Sequence, residues 1–179
     1  MRLFIAIDFS EENKQQLSVI AATIKQHASR SRQVEPENYH LTLVFIGESA
    51  DTDGIIEIMD AVAKKTHPFS LQTDQIGRFR RPGGDVCWIG FAKNNELLIV
   101  QRMLESALKN KGFDIEDRPY RPHLTLLREA VVPGDFPDGY FDSSLPSVCQ
   151  SVSDIRLMKS ERIKGKLVYT SIHSVNLTE

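Results

Sequence analysis

The chain has 179 residues, 41% of them apolar and 26% charged, with a net charge of −2. This suffices for one ordinary core, and the near balance of charge excludes a protein drawn to polyanions by its global field, so any anion site must be local and built from a few placed arginines or lysines. The apolar run from Leu3 to Ile7 is too short for a signal core, and no run approaches the ~18 apolar residues of a membrane helix, so a cytoplasmic protein is expected.

In chain order, residues 3–9 (LFIAIDF) predict a strand buried on both faces. Ser10, followed by Glu11 and Glu12, caps a helix that runs to Ile24 or Ala28, with Leu17, Ile20, Ala21 and Ile24 as its buried stripe. A polar loop leads through Pro36 to a strand over 39–47, closed by Gly47, and a second helix is expected over 51–66. Residues 69–79 read as one or two strands and 85–92 as another. A helix over 94–112 has Asn94 or Asn95 as cap and Gly112 as stop, and a strand over 118–129 is introduced by prolines. Residues 130–147 are a loop by their prolines and glycines, and two final β-runs form a hairpin turning at Gly165. Cys87 and Cys149 lack metal-site spacing and sit among apolar neighbours, which predicts buried free thiols in a reducing compartment.

The tetrapeptide HLTL occurs at His40–Leu43 and again, 83 positions later, at His123–Leu126. With 5 His and 8 Thr, a shuffled chain would hold roughly 0.2 His-x-Thr triplets. The order strand, helix, HLTL strand also occurs twice, and the first strands, counted from Leu3 and Val86, share the 83-residue offset. The sequence thus reads as a duplicated α+β unit spanning one domain, residues 1–179.

On a strand, His40 and Thr42 share one face while Leu41 and Leu43 anchor the other, and the same holds for His123 and Thr125. A lone His-x-Thr is ordinarily a half-exposed surface pair; two copies in a duplicated unit point instead to imidazoles converging across a cleft. In-line displacement at phosphorus needs a base beside the entering oxygen and an acid beside the leaving one, and imidazole fills either role near neutral pH. Threonine hydroxyls and an arginine can hold the non-bridging oxygens. Arg121 lies two residues before His123, on its face; Arg128, five beyond, has odd parity and must leave the strand or cross a bulge. No HxH, CxxC or acidic third ligand accompanies either motif, so neither metal nor cofactor is expected. His27, His67 and His173 read as structural or surface residues.

The paired His-x-Thr motifs resemble those of the 2H phosphoesterases. More narrowly, MRLFIAIDFS, NYHLTLVFIGE, VCWIGF, RPYRPHLTLLRE and LMKSERIKGKLVYTSI are similar to the RNA 2′,3′-cyclic phosphodiesterases, also called LigT-like or 2′–5′ RNA ligases. One departure is LLRE after the second motif, where that family often has a small residue before the arginine. The resemblance implies an α+β, bilobal fold with two antiparallel sheets facing a central groove and helices outside. It also implies metal-independent opening of an RNA terminal 2′,3′-cyclic phosphate to a 2′-phosphate. Carried onto this chain, His40 is the expected proton donor and His123 the acceptor, with Thr42, Thr125 and Arg128 on the phosphate; Arg128 is preferred over Arg121 on the resemblance. The opposite assignment of the histidines stays open. Phe9, Phe45 and Arg121 are candidate substrate contacts, and GRFRRPGGD (77–85) is either a solvated loop or an RNA-contacting lip. The expected partner is RNA or a nucleotide bearing a 2′,3′-cyclic phosphate, and a monomer is expected. Ligation through a 2′–5′ linkage, cleavage of 2′–5′ oligonucleotides or cyclic nucleotides, and RNA-end binding without turnover are the alternatives.

Overall fold

The computed structural model describes residues 1–136 and 145–178. The elements are β1 (Arg2–Asp8), α1 (Glu11–Gln26), β2 (Arg30–Gln33), a 3-10 turn (Pro36–Asn38), β3 (His40–Glu48), α2 (Thr52–Ala63), β4 (Phe69–Phe79) and β5 (Asp85–Phe91). They continue with α3 (Asn95–Asn110), β6 (His123–Val131), β7 (Cys149–Val152), β8 (Asp154–Ile163) and β9 (Lys166–Asn176). The strands form two antiparallel sheets, ordered β3-β1-β8-β9 and β2-β6-β5-β4-β7.

Each helix starts where a side chain takes up an orphan backbone N–H. Ser10, Asp51 and Asn94 accept from the amides of Asn13 (3.2 Å), Gly54 (2.9 Å) and Leu97 (2.8 Å). Gly112, at φ 94°, turns the chain out of α3 in a left-handed conformation that a side chain would resist. The helices cross over: α1, from the first unit, packs on β2 and β6, whereas α3, from the second, packs on β3. Each histidine strand therefore rests on the helix of the other unit. A buried apolar cluster draws on both sheets and all three of these helices.

Register gives the duplication its structural form. Ala6 lies opposite Thr42, and Trp88 opposite Thr125. The first strands are therefore offset by 82 residues, not 83, because the second unit has one more residue between its two strands. The correction decides which face a residue takes, since one step reverses a strand's faces. Leu3 is fully buried, while Val86 lines the groove described below.

Four further expectations change. The polar segment Arg30–Gln33 is a strand, paired to β6, and Cys149–Val152 is another, paired to β4. Both are four-residue edge strands without the apolar alternation that would reveal them. The strand expected over 118–129 begins only at His123 and runs to Val131. Cys87 is buried as expected, but Cys149 is exposed at the edge of its sheet, and the two form no disulfide. Residues 69–79 form one strand, and Gly165, at φ 81°, turns the final hairpin. The loop expected over 130–147 lies in part outside the described residues.

Candidate active site

The two histidine strands lie against each other, and their exposed faces open into one groove of about 1260 Å³. In β6, Trp88 faces Thr125 but Cys87 faces Leu127, so Leu126 is an extra residue. This bulge reverses the strand's faces, leaving Leu126 and Leu127 both buried and returning Arg128 to the side of His123 and Thr125. β3 bulges at the same place: Ala6 faces Thr42 and Ile5 faces Val44, so Leu43 and Val44 are both buried and Phe45 turns outward. Arg128 and Phe45 thus hold corresponding positions, 83 residues apart.

Both imidazoles are oriented by backbone. The carbonyl of Asn38 accepts from His40 Nδ1 at 2.7 Å, and that of Arg121 from His123 Nδ1 at 2.7 Å. A carbonyl can only accept, so the neutral rings carry hydrogen on Nδ1 and keep a lone pair on Nε2. Aromatic rings hold each plane. His40 packs against Phe4 (4.8 Å between centroids) and edge-on to Tyr169 (4.9 Å); His123 packs edge-on to Phe79 (4.9 Å) and near Trp88 (6.1 Å). Trp88 lies so close over Gly77 that a Cβ there would meet its ring at 2.2 Å, so this contact requires glycine.

Two residues that sequence reasoning passed over fix the first half-site. β3 and β9 are the two edges of their sheet, and Asn38 joins them. Its side-chain amide donates to the Leu167 carbonyl (3.0 Å) and accepts from the Tyr169 amide (3.3 Å), as a strand residue would, while its own carbonyl holds His40. Tyr120, which follows α3, donates its hydroxyl to the Thr42 carbonyl at 3.0 Å, giving β3 a partner on its open side. A polar residue two before a strand histidine was the available signal for Asn38; Tyr120 had none.

Burial lowers the His40 pKa to about 4 and also lowers that of His123. The backbone hydrogen bonds oppose this, and Arg128 adds to it at both rings. Asp8, opposite His40 on β1, is a carboxylate that favours the charged His40 ring. The guanidinium of Arg128 makes no hydrogen bond or ion pair among the described residues, and neither does the hydroxyl of Thr42 or Thr125. All three line the groove.

Of the other candidates, Phe45 is 52% exposed and lines the groove, and Arg121 lines it from a loop rather than a strand. Phe9 is 4% exposed and stacks on Phe91 in the core, so it has no access to a ligand there. The arginine-rich stretch divides. Arg78 turns inward to an ion pair with Asp85 (3.4 Å) and lies over the Phe136 ring (5.5 Å), so it is no lip residue, whereas Arg81 lines the groove. His173 meets Asp60 at 3.4 Å, and His27 caps α1. Among the described residues no cluster of three or more His, Cys, Asp or Glu side chains is arranged to hold a metal ion, and no helix is long and apolar enough to cross a membrane.

Known proteins share this architecture. The chain is 31% identical to the RNA 2′,3′-cyclic phosphodiesterase of Escherichia coli K12 over 180 residues, covering 99% of this chain and 97% of that one. It is 30% identical to the protein of the same name from Thermotoga maritima, covering 89% and 87%. Among solved structures it is similar to E. coli LigT complexed with 3′-AMP, with a TM-score of 0.80 and 29% identity over 99% of this chain and 98% of that one. The same enzyme complexed with phosphate gives a TM-score of 0.75 and 27% identity, with the same coverage. Residues 11–163 match the 2′-5′ RNA ligase superfamily, and with relatives this similar along nearly the whole chain, the protein belongs to that superfamily.

Proposed function

We propose that this protein hydrolyses RNA ends bearing a 2′,3′-cyclic phosphate to 2′-phosphomonoesters, with no metal ion, using His40 and His123 as an acid–base pair. The observation that carries the reading is the convergence of two imidazoles on one groove, each with Nδ1 committed to a carbonyl and Nε2 left for chemistry. The names of the relatives above support the substrate class.

In this reading Thr42, Thr125 and Arg128 hold the non-bridging oxygens, and Arg128 offsets the charge that grows on them in the transition state. His123 takes a proton from water as its oxygen bonds to phosphorus. The bond from phosphorus to the ribose 3′ oxygen breaks, and His40 delivers a proton to that oxygen. Asp8 supports His40 as the acid, because among the described residues it is the one carboxylate whose charge acts on either ring. The reverse assignment has its own support in the larger displacement of His40, to about 4, which leaves that ring neutral in an empty groove. A bound phosphodiester anion favours the charged form of both rings.

Phosphorus NMR of a short RNA ending in a 2′,3′-cyclic phosphate tests the activity. A new 2′-monoester signal is expected, undiminished by EDTA. A 2′–5′ diester would make the protein a ligase, an unchanged spectrum a binding protein, and loss on chelation a metal enzyme. An activated aryl phosphodiester separates the histidine roles: the variant lacking the acid should retain turnover with that leaving group, and the variant lacking the base should not.

A further inference from the structure

The turn between β8 and β9 reads Arg162-Ile163-Lys164-Gly165-Lys166, and all five residues are exposed. Its three cations form no ion pair among the described residues; Arg162 reaches only the Gly165 carbonyl, at 3.5 Å. Elsewhere around the groove Arg32 is paired with Glu129 (3.0 Å) and Arg118 with Glu116 (3.4 Å), while Arg81 and Arg121 are single cations without an ion pair among the described residues. In a chain of net charge −2, three unanswered cations within five residues make a local anion site at the mouth of the groove.

This turn also has a defined place relative to the chemistry. Tyr169 of β9 packs against His40, and Asn38 bonds β9 on either side of Val168 while holding His40 by its carbonyl. Lys166 lies three residues from Tyr169, roughly 10 Å along the strand. That is beyond the reach of a group whose phosphate lies between the two histidines. A mononucleotide in the groove leaves the turn empty; a polynucleotide whose last residue occupies the groove must pass one rim or the other.

We propose that the β8–β9 turn is a clamp for the sugar-phosphate backbone upstream of the reacting end, so that the RNA body leaves the groove on the His40 side and Arg162, Lys164 and Lys166 bind its phosphates. The inference rests on the activity proposed above and adds a substrate class to it: oligonucleotides are preferred over mononucleotides, without regard to sequence, because phosphate contacts carry no base information. Ile163, 50% exposed at the tip, offers an apolar surface beside the cations.

The test compares an eight-nucleotide single-stranded RNA ending in a 2′,3′-cyclic phosphate with a mononucleoside 2′,3′-cyclic phosphate. The wild-type protein is set against the triple variant Arg162→Gln, Lys164→Gln, Lys166→Gln. On the octamer, kcat/KM should fall about tenfold in the variant. The dependence of log kcat/KM on log salt should become shallower by about 2, the loss of three cations at ~0.7 each. On the mononucleotide the two proteins should agree, which also reports that the variant is folded. Equal kcat/KM and salt slope on the octamer would overturn the clamp alone. An equal loss on both substrates would show that the turn acts through the fold and would also overturn it. A wild-type protein that opens neither substrate would overturn the activity and the clamp together.

Discussion

The two half-sites share a backbone and differ in what they hang on it. β3 and β6 each present histidine, threonine and, past a bulge, one more outward side chain. That last position is Phe45 in the first half and Arg128 in the second. The strands also differ in support: β6 lies between β5 and β2, whereas β3 is an edge held by Asn38 and Tyr120. Both halves keep the geometry that the proposed pair of opposed proton carriers would need. Divergence then placed an arginine, unpaired among the described residues, on one wall and an exposed aromatic ring on the other, as the proposed ligand with its anionic phosphate and flat base would require.

The largest expected effect removes a half-site's working group. His40→Ala and His123→Ala should each lower kcat roughly 10²- to 10⁴-fold while melting cooperatively like the wild type. If the groove works mainly by binding, one of the two will stay within tenfold of wild type. Next come the corresponding positions. Arg128→Gln should cost roughly 10²- to 10³-fold in kcat, as loss of transition-state charge stabilisation, and Phe45→Ala about tenfold in KM, as loss of a stacking surface. Equal effects on the same parameter would show that the asymmetry is decorative.

Smaller effects probe how His40 is held. Asn38→Asp keeps the shape of the amide but sets a carboxylate near His40, which favours the imidazolium. The limb of the pH profile belonging to His40 should therefore move to higher pH; a purely structural role would lower the rate without moving it. Stability should respond to pH as well. Burial holds His40 at about 4, below the 6.5 of a free side chain, so between those values the unfolded chain binds a proton that the folded chain does not. That contribution is complete above about pH 6.5 and fades as the pH falls toward 4. A pH series of thermal melts should show a shallower acid loss for His40→Gln than for the wild type.

Much of this was legible from residue patterns. Three helices, the caps of the first and third, the two histidine strands and the final hairpin follow from periodicity and turn chemistry. The faces of His40, Thr42, His123 and Thr125 follow from alternation along a strand. Parity alone left Arg128 on the wrong face, because a bulge is a register fact: it depends on how many residues the partner strand sets opposite, which no single strand encodes. β2 and β7 were hidden because short polar edges borrow their structure from a neighbour. Phe9 looked like Phe45 in sequence, an aromatic near a strand end, and only packing against Phe91 distinguishes it. The crossing of α1 and α3 to the opposite sheets, which brings Tyr120 to Thr42, is a tertiary choice that leaves no local mark.

The claim that the two half-sites act as one unit is tested most directly by single-turnover rates of His40→Ala, His123→Ala and the double variant on a short RNA 2′,3′-cyclic phosphate. Each single variant should fall within a few-fold of the double, because an acid without its base has little to do. Losses that multiply, with the double variant slower than either single by the other's full factor, would mean that each histidine works alone.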